Sequence, residues 1–182
     1  VWRAIQANNA YAIYGRFADP AKIASLPEPE ADKHLLRVSW RYMRGEAAAR
    51  AGDAAAVRAE IEAIKAIIGA TTFAGPMLDQ QKGFVQLSQH VLEGRAAMIE
   101  GDHDAAVAAF TAAAAIQAQG DGEGGDPPVI WYPTRRSLAA ALLARGEAAG
   151  AKAKIEELLK DWPGDPYSYF VLAEAEVKLG DL

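Results

Sequence analysis

The sequence predicts an all-α protein built from repeated helix pairs, and three observations carry that expectation. Hydrophobic residues make up 51% of the 182-residue chain, and alanine dominates them, so helix formers are plentiful while side-chain volume stays small. Glycines at 15, 52, 101, 146 and 180 each follow an apolar helical pattern, at separations of 37, 49, 45 and 34 residues. The segment from His90 to Ala118, HVLEGRAAMIEGDHDAAVAAFTAAAAIQA, spaces Gly94, Ala97, Gly101, Ala106, Phe110 and Ala113 across two apolar stripes broken by one Gly-Asp pair. That is the pattern of a helix, a turn and a second helix.

Taken in order, Val1 to Tyr14 reads as a helix carrying Ile5, Tyr11 and Tyr14, with Gly15 as its stop. Asp19 before Pro20 suits an N-cap and a first-turn proline, so a short helix is expected through Ile23 and Leu26 until Pro27 and Pro29 end it. Helical spacing returns over 34–50 with Leu35, Trp40, Met43 and Ala47, and Gly52-Asp53 breaks it. The next helix puts Val57, Ile61, Ile64 and Ile68 on one face and Arg58, Glu62 and Lys65, spaced for charge pairing, on the other. A loop containing Gly75-Pro76 is expected over 69–80, then helices over 82–100 and 105–117. The run GDGEGGDPP within 119–128 has no helix propensity. Beyond it, helices are expected at 132–144, opened by Pro133, at 149–161 after Gly146, and at 167–179 after the stop Trp162-Pro163-Gly164-Asp165-Pro166.

Aligned on the break glycines, the residue seven before is Gly45, Gly94, Ala139 or Ala173, with Asn8 in the first unit. Five after stand Pro20, Val57, Ala106 and Ala151, and nine after stand Ala24, Ile61, Phe110 and Ile155. On GDHDAAVAAFTAA, the Trp162-Pro163 ending and the 34-residue separation, the chain resembles bacterial tetratricopeptide repeat (TPR) proteins. Asp126-Pro127-Pro128 followed by Trp131-Tyr132-Pro133 and Arg135-Arg136-Ser137-Leu138 is similar to a DPP-then-WYP insertion in bacterial TPR proteins of unassigned function. The resemblance implies a right-handed superhelix of antiparallel helix pairs over the whole of 1–182. Its units fall at 1–26, 34–68, 82–118 and 132–162, with a terminal helix at 167–179 and a groove lined by the first helix of each pair. The chain begins with Val1, so it is expected to be part of a longer one.

Several function classes lose ground on composition. With 24 acidic and 19 basic residues the net charge is −5, and no Lys/Arg run tracks a phosphate backbone, so nucleic acid is not an expected partner. No stretch is long and apolar enough to span a bilayer; a soluble protein is expected, cytoplasmic or periplasmic. There is no cysteine. His34, His90 and His103 do not converge as a metal site needs, although His90 and Glu93 share a helical face. Ser88 and Ser137 lack a nucleophile motif, and GDGEGG is acidic where a phosphate loop would not be. A non-catalytic protein without a cofactor is expected.

The family's peptide site in co-chaperones uses Lys and Asn on the groove-facing helices. The matching positions here are Tyr42 and Glu46, Val91 and Arg95, Arg136 and Ala140, Phe170 and Glu174; without an asparagine among them, that clamp is ruled out. What remains is a groove with Arg95 and Arg136 as cationic anchors and Tyr42 and Phe170 as apolar ones, suited to an acidic or C-terminal peptide segment. The competing expectation is that both arginines pair internally with Glu93, Glu46 or the acidic residues Asp121, Glu123 and Asp126. Trp131 and Tyr132 either form a recognition surface or pack the insertion onto the array. The last helix either caps the array, with Glu174, Glu176 and Lys178 in water, or is followed by more of a longer chain, so that the side carrying Phe170 and Leu172 is an artificial end through which self-association is possible. The expected role is a protein–protein interaction scaffold. The alternatives are a small-molecule or enzyme-accessory protein whose 119–131 insertion closes a pocket over Arg95 and Arg136, and a purely structural repeat segment.

Overall fold

A Gly-Asp pair stops one helix and starts the next. In the computed structural model, Gly52 and Gly101 adopt the left-handed conformation at φ 73° and 76°, which costs glycine nothing and a side-chain-bearing residue about 1–2 kcal/mol. The amide after each glycine then reaches back along the finished helix, Asp53 N to Ala48 O and Asp102 N to Ala97 O, both at 3.0 Å. The same aspartates cap the following helix, Asp53 accepting from Ala56 N at 2.9 Å and Asp102 from Ala105 N at 3.0 Å.

The structure describes residues 2–72, 74, 78–119, 130 and 132–181, and side chains for all of these except 2–6, 8 and 80. Among the described residues it is all-helical, with no strand. The helices are α1 (Trp2–Phe17), α2 (Pro20–Ala24), α3 (His34–Arg50), α4 (Ala54–Ala70), α5 (Leu78–Glu100), α6 (His103–Gln119), α7 (Thr134–Ala144), α8 (Ala148–Asp161) and α9 (Pro166–Leu179). None is long and apolar enough to cross a membrane. The expected loop at Gly75-Pro76, the acidic residues Asp121, Glu123 and Asp126, and Trp131 lie outside the described residues.

Each helix from α3 to α9 packs on its neighbours in sequence, and α3 also packs on α1 and α5. The apolar side chains collect in two main cores. One joins α3, α4 and α5 with Ile130 and Tyr132; the other joins α6 to α9 with Ala97 of α5. Ile61, Phe110 and Ile155, matched by the glycine alignment, are all fully buried.

Gly15 does not stop the first helix. It lies inside α1, where a Cβ would come within 2.7 Å of Met43 O, so its smallness serves the approach of α1 to α3. Gly45 and Gly94 do the same at the next seams: a Cβ would meet Leu92 Cδ1 and Phe110 Cε1, each at 2.6 Å. A further correction concerns α5, which starts at Leu78, earlier than its apolar spacing indicated.

On the opposite face of α3 from Tyr42, a ladder of charges joins the 27–33 connection to α4. Glu28 pairs with Arg37 at 2.8 Å and with Arg41 at 3.0 Å; Glu60 takes Arg41 at 3.2 Å and Arg44 at 2.6 Å. Arg41 and Arg44 lie 4.6 and 4.8 Å from the centre of the Trp40 ring. Arg58 meets Glu100 at 2.6 Å, and Lys65 meets Glu62 at 2.8 Å.

Gly94→Ala is expected to destabilise by about 1–3 kcal/mol as the Phe110 ring is displaced, whereas Gly69→Ala, with open space around it, should be neutral or stabilising by up to ~1 kcal/mol. Urea unfolding of the two variants tests the seam directly.

Acid should weaken the fold. The Arg37 hydrogen bond, working against burial and aided by the charge of Arg41, holds Glu28 below the ordinary glutamate range; His90 does the same for Glu93, and Arg58 for Glu100. Groups depressed in the folded state stabilise fully above the unfolded value of about 4.3, and that contribution is lost as pH falls through their folded values. The urea midpoint should hold steady from about pH 7 to 5 and fall below about 4.5, with a shallower fall in Glu28→Gln.

Candidate functional site

The groups with the most chemistry gather where α1, α3 and α5 meet the segment leading into α7. Glu46 of α3 is 2% exposed and its carboxylate is the hub. Oε1 accepts from the Tyr42 hydroxyl at 2.9 Å and lies 3.4 Å from Arg95 Nε, while Oε2 lies 4.0 Å from Arg16 Nη1. Tyr42 stands one helical turn before Glu46, so both point the same way from α3. Burial, reinforced by the negative charge of Glu46, pushes the Tyr42 hydroxyl well above its ordinary value, and it stays protonated as a donor. Burial alone would make Arg95 easier to deprotonate, but Glu46 and the hydroxyl oxygens of Tyr132 and Tyr42 outweigh it, so the guanidinium is held firmly cationic.

Tyr132 connects this hub to the second half of the chain. Its hydroxyl accepts from Arg95 Nη2 at 2.9 Å. The guanidinium carbons of Arg95 and Arg136 lie 5.7 and 5.1 Å from its ring centre. Its backbone is fixed by Gln117, a fully buried amide at the end of α6. Gln117 Nε2 donates to the Tyr132 carbonyl at 3.1 Å, and Gln117 Oε1 accepts from both the amide and the hydroxyl of Thr134 at 2.7 Å. A glutamine with its donor and acceptor both used inside the protein is a satisfied structural clamp.

The residues expected from sequence therefore divide. Tyr42, Glu46, Arg95 and Tyr132 are brought together, but Tyr42 and Tyr132 are 1% and 2% exposed, so they form the floor of any groove and offer no apolar surface. Arg136 is likewise buried: Nη1 donates to both oxygens of Asp165 at 2.7 Å, and Ser168 donates to the same carboxylate. It cannot serve as an open anchor, because Asp165 holds it and Tyr132 and Tyr167 cover it. Among the described residues expected as internal partners of Arg95, Glu46 is the one used; Glu93 is engaged by His90 at 2.9 Å and by Gln89 at 2.8 Å. Phe170 is 62% exposed on α9, whereas Leu172 packs against the second core. Among the described residues, no group of three or more His, Asp or Glu side chains could hold a metal ion.

Sequence reasoning missed Arg16, Gln117 and Asp165. Arg16 was hidden because Gly15 read as a helix end, which placed its neighbour in a turn. Gln117 and Asp165 lie at an element boundary and in a Pro-Gly stop, where no periodic signal marks a buried polar group.

Gln117→Leu would remove the buried bonds that Gln117 makes to the Tyr132 carbonyl and to the Thr134 amide and hydroxyl. A loss of about 3 kcal/mol is expected in urea unfolding, accompanied by a changed Tyr132 environment in near-UV circular dichroism.

The chain was compared with protein-family models, with curated proteins and with solved structures, and nothing matches it in any of the three.

Proposed function

We propose that this chain is a TPR-like right-handed superhelix of antiparallel helix pairs and a non-catalytic scaffold that holds a peptide or protein segment in the groove lined by α1, α3, α5, α7 and α9. Support for the architecture comes from the packing of α3 on α1, α4 and α5 together, which places alternate helices side by side as a stack of pairs requires. Support for the role comes chiefly from one observation. Polar groups of α1, α3 and α5 meet one another and Tyr132, from Arg16 through Glu46 and Arg95. Arg16 and Arg95 keep 28% and 21% of their side chains exposed there, so cationic donors stand over a rigid buried floor. Such a floor suits an acidic peptide, whose extended backbone and carboxylates need fixed donors more than apolar pockets.

A second reading has an observation behind it. Ile130 and Tyr132 are buried in one core with side chains of α3 and α5, which favours a small-molecule pocket on that side of the array.

Peptides selected from a random display library against the immobilised chain test the scaffold reading. Their addition should move the NMR signals of Arg16, Arg95 and Ala140 and leave those of Arg58, Glu62 and Lys65 in place. Enrichment of no peptide, or shifts confined to the second set, would remove the reading.

A further inference from the structure

We infer that Arg16 and Arg95, held apart and oriented by Glu46, form a binding site for a single carboxylate. The inference rests on the groove reading above and names the ligand chemistry of one place in it.

Charge comes first. Among the described residues two guanidinium groups face one buried carboxylate, an excess of one positive charge. Burying charges without balance is costly, and a monoanion restores the balance where a dianion would overshoot it. Arranged around Glu46, an incoming carboxylate takes the fourth corner of an alternating ring: Glu46, Arg16, ligand, Arg95.

Geometry points the same way. A charge-assisted N–H to carboxylate bond is about 2.7–2.9 Å long; the buried pair Arg136–Asp165 reaches that at 2.7 Å, while a looser pair such as Arg41–Glu60 stands at 3.2 Å. Around Glu46 the two contacts are 3.4 and 4.0 Å. The short bond to Glu46 comes from the Tyr42 hydroxyl instead, so the carboxylate is anchored to its own helix and neither arginine is tightly paired. Among the described residues Arg16 has no other ion pair than this one, and Arg95 Nη1 has no hydrogen-bond partner. Two planar donors that share one carboxylate and are each partly exposed can present a remaining N–H to an added oxygen. Tyr132 limits that freedom for Arg95 by taking Nη2, which leaves Nη1 as the donor presented outward.

The carboxylate can come from an aspartyl or glutamyl side chain of a peptide or from a free carboxylic acid. Side-chain ¹⁵N NMR of the intact chain separates the cases. Sodium acetate should shift the Nε–Hε signals of Arg16 and Arg95 together and saturably, while sodium chloride at equal ionic strength should not. Arg16→Gln should weaken acetate binding about tenfold or more, the loss expected for one charged hydrogen bond. Glu46→Gln keeps an acceptor for Tyr42 but removes the competing charge, and acetate should then bind severalfold more tightly. Arg58→Gln is the unaffected control. An acetylated, amidated pentapeptide with a central aspartate, tested beside its asparagine twin, identifies the source: tenfold tighter binding than acetate assigns the site to peptides, and equal binding assigns it to free acids.

Shifts that chloride reproduces, unchanged acetate affinity in Arg16→Gln, or weaker binding in a folded Glu46→Gln would each overturn the inference. Display-selected peptides that still bind while these results fail would leave the groove reading standing and remove this site alone.

Discussion

The structure depends on how closely its helices approach at three glycines. Gly15 faces the backbone of α3, Gly45 faces Leu92 and Gly94 faces Phe110, with no room at any of them for even a methyl group. These are successive seams, α1 on α3, α3 on α5 and α5 on α6. Small residues bring helix axes together and let side chains interlock across the contact, which is how an alanine-rich chain with few large apolar residues still fills a core. The same closeness brings polar groups on different helices within reach. Arg95 on α5 and Arg16 on α1 can both address Glu46 on α3 because the glycine seams set those three helices side by side.

Burying Glu46 and Arg95 is not in itself a route to stability. Desolvation of a charged pair roughly cancels its attraction, and a well-packed apolar trio would serve a core as well or better. What the pair adds is definition: hydrogen bonds join Tyr42, Glu46, Arg95 and Tyr132 in sequence, which ties α3 and α5 to the residue that leads into α7. Gln117 extends this across the boundary between the two apolar cores, since it is buried at the end of α6 and fastens the residues that lead into α7. Arg136 and Asp165 repeat the device between α7 and the start of α9. The chain is thus joined twice over, by apolar seams and by buried polar ties that cross from one helix pair to the next.

Much of the helical layout could be read directly from the residues. The span 34–50, the Gly-Asp junctions and the burial of Ile61, Phe110 and Ile155 follow from local rules, because capping, left-handed glycine and apolar spacing are decided within a few residues. The candidate site was legible only in part. Tyr42, Glu46 and Arg95 came from repeat spacing, which fixes the face a residue occupies, and Tyr132 from its place beside the prolines of the insertion. Whether that face is a floor, a surface or a seam depends on what packs over it, and spacing carries nothing about that. Arg136 shows the difference: its face was anticipated, but Asp165, far along the chain in a turn, is what removes it from the surface.

By itself, then, the sequence determined that the chain is helical, the Gly-Asp junctions at 52–53 and 101–102, the small residues at the seams and the absence of a cysteine or a basic tract. Each of these is local or compositional. Tertiary structure alone decided that Gly15 is a contact and not an end, that Arg16 joins Arg95 about Glu46, and that Gln117 holds the residues before α7. These pairings span from 15 to 49 residues of chain, and the energy of a buried charge or amide is set by the groups that surround it in space.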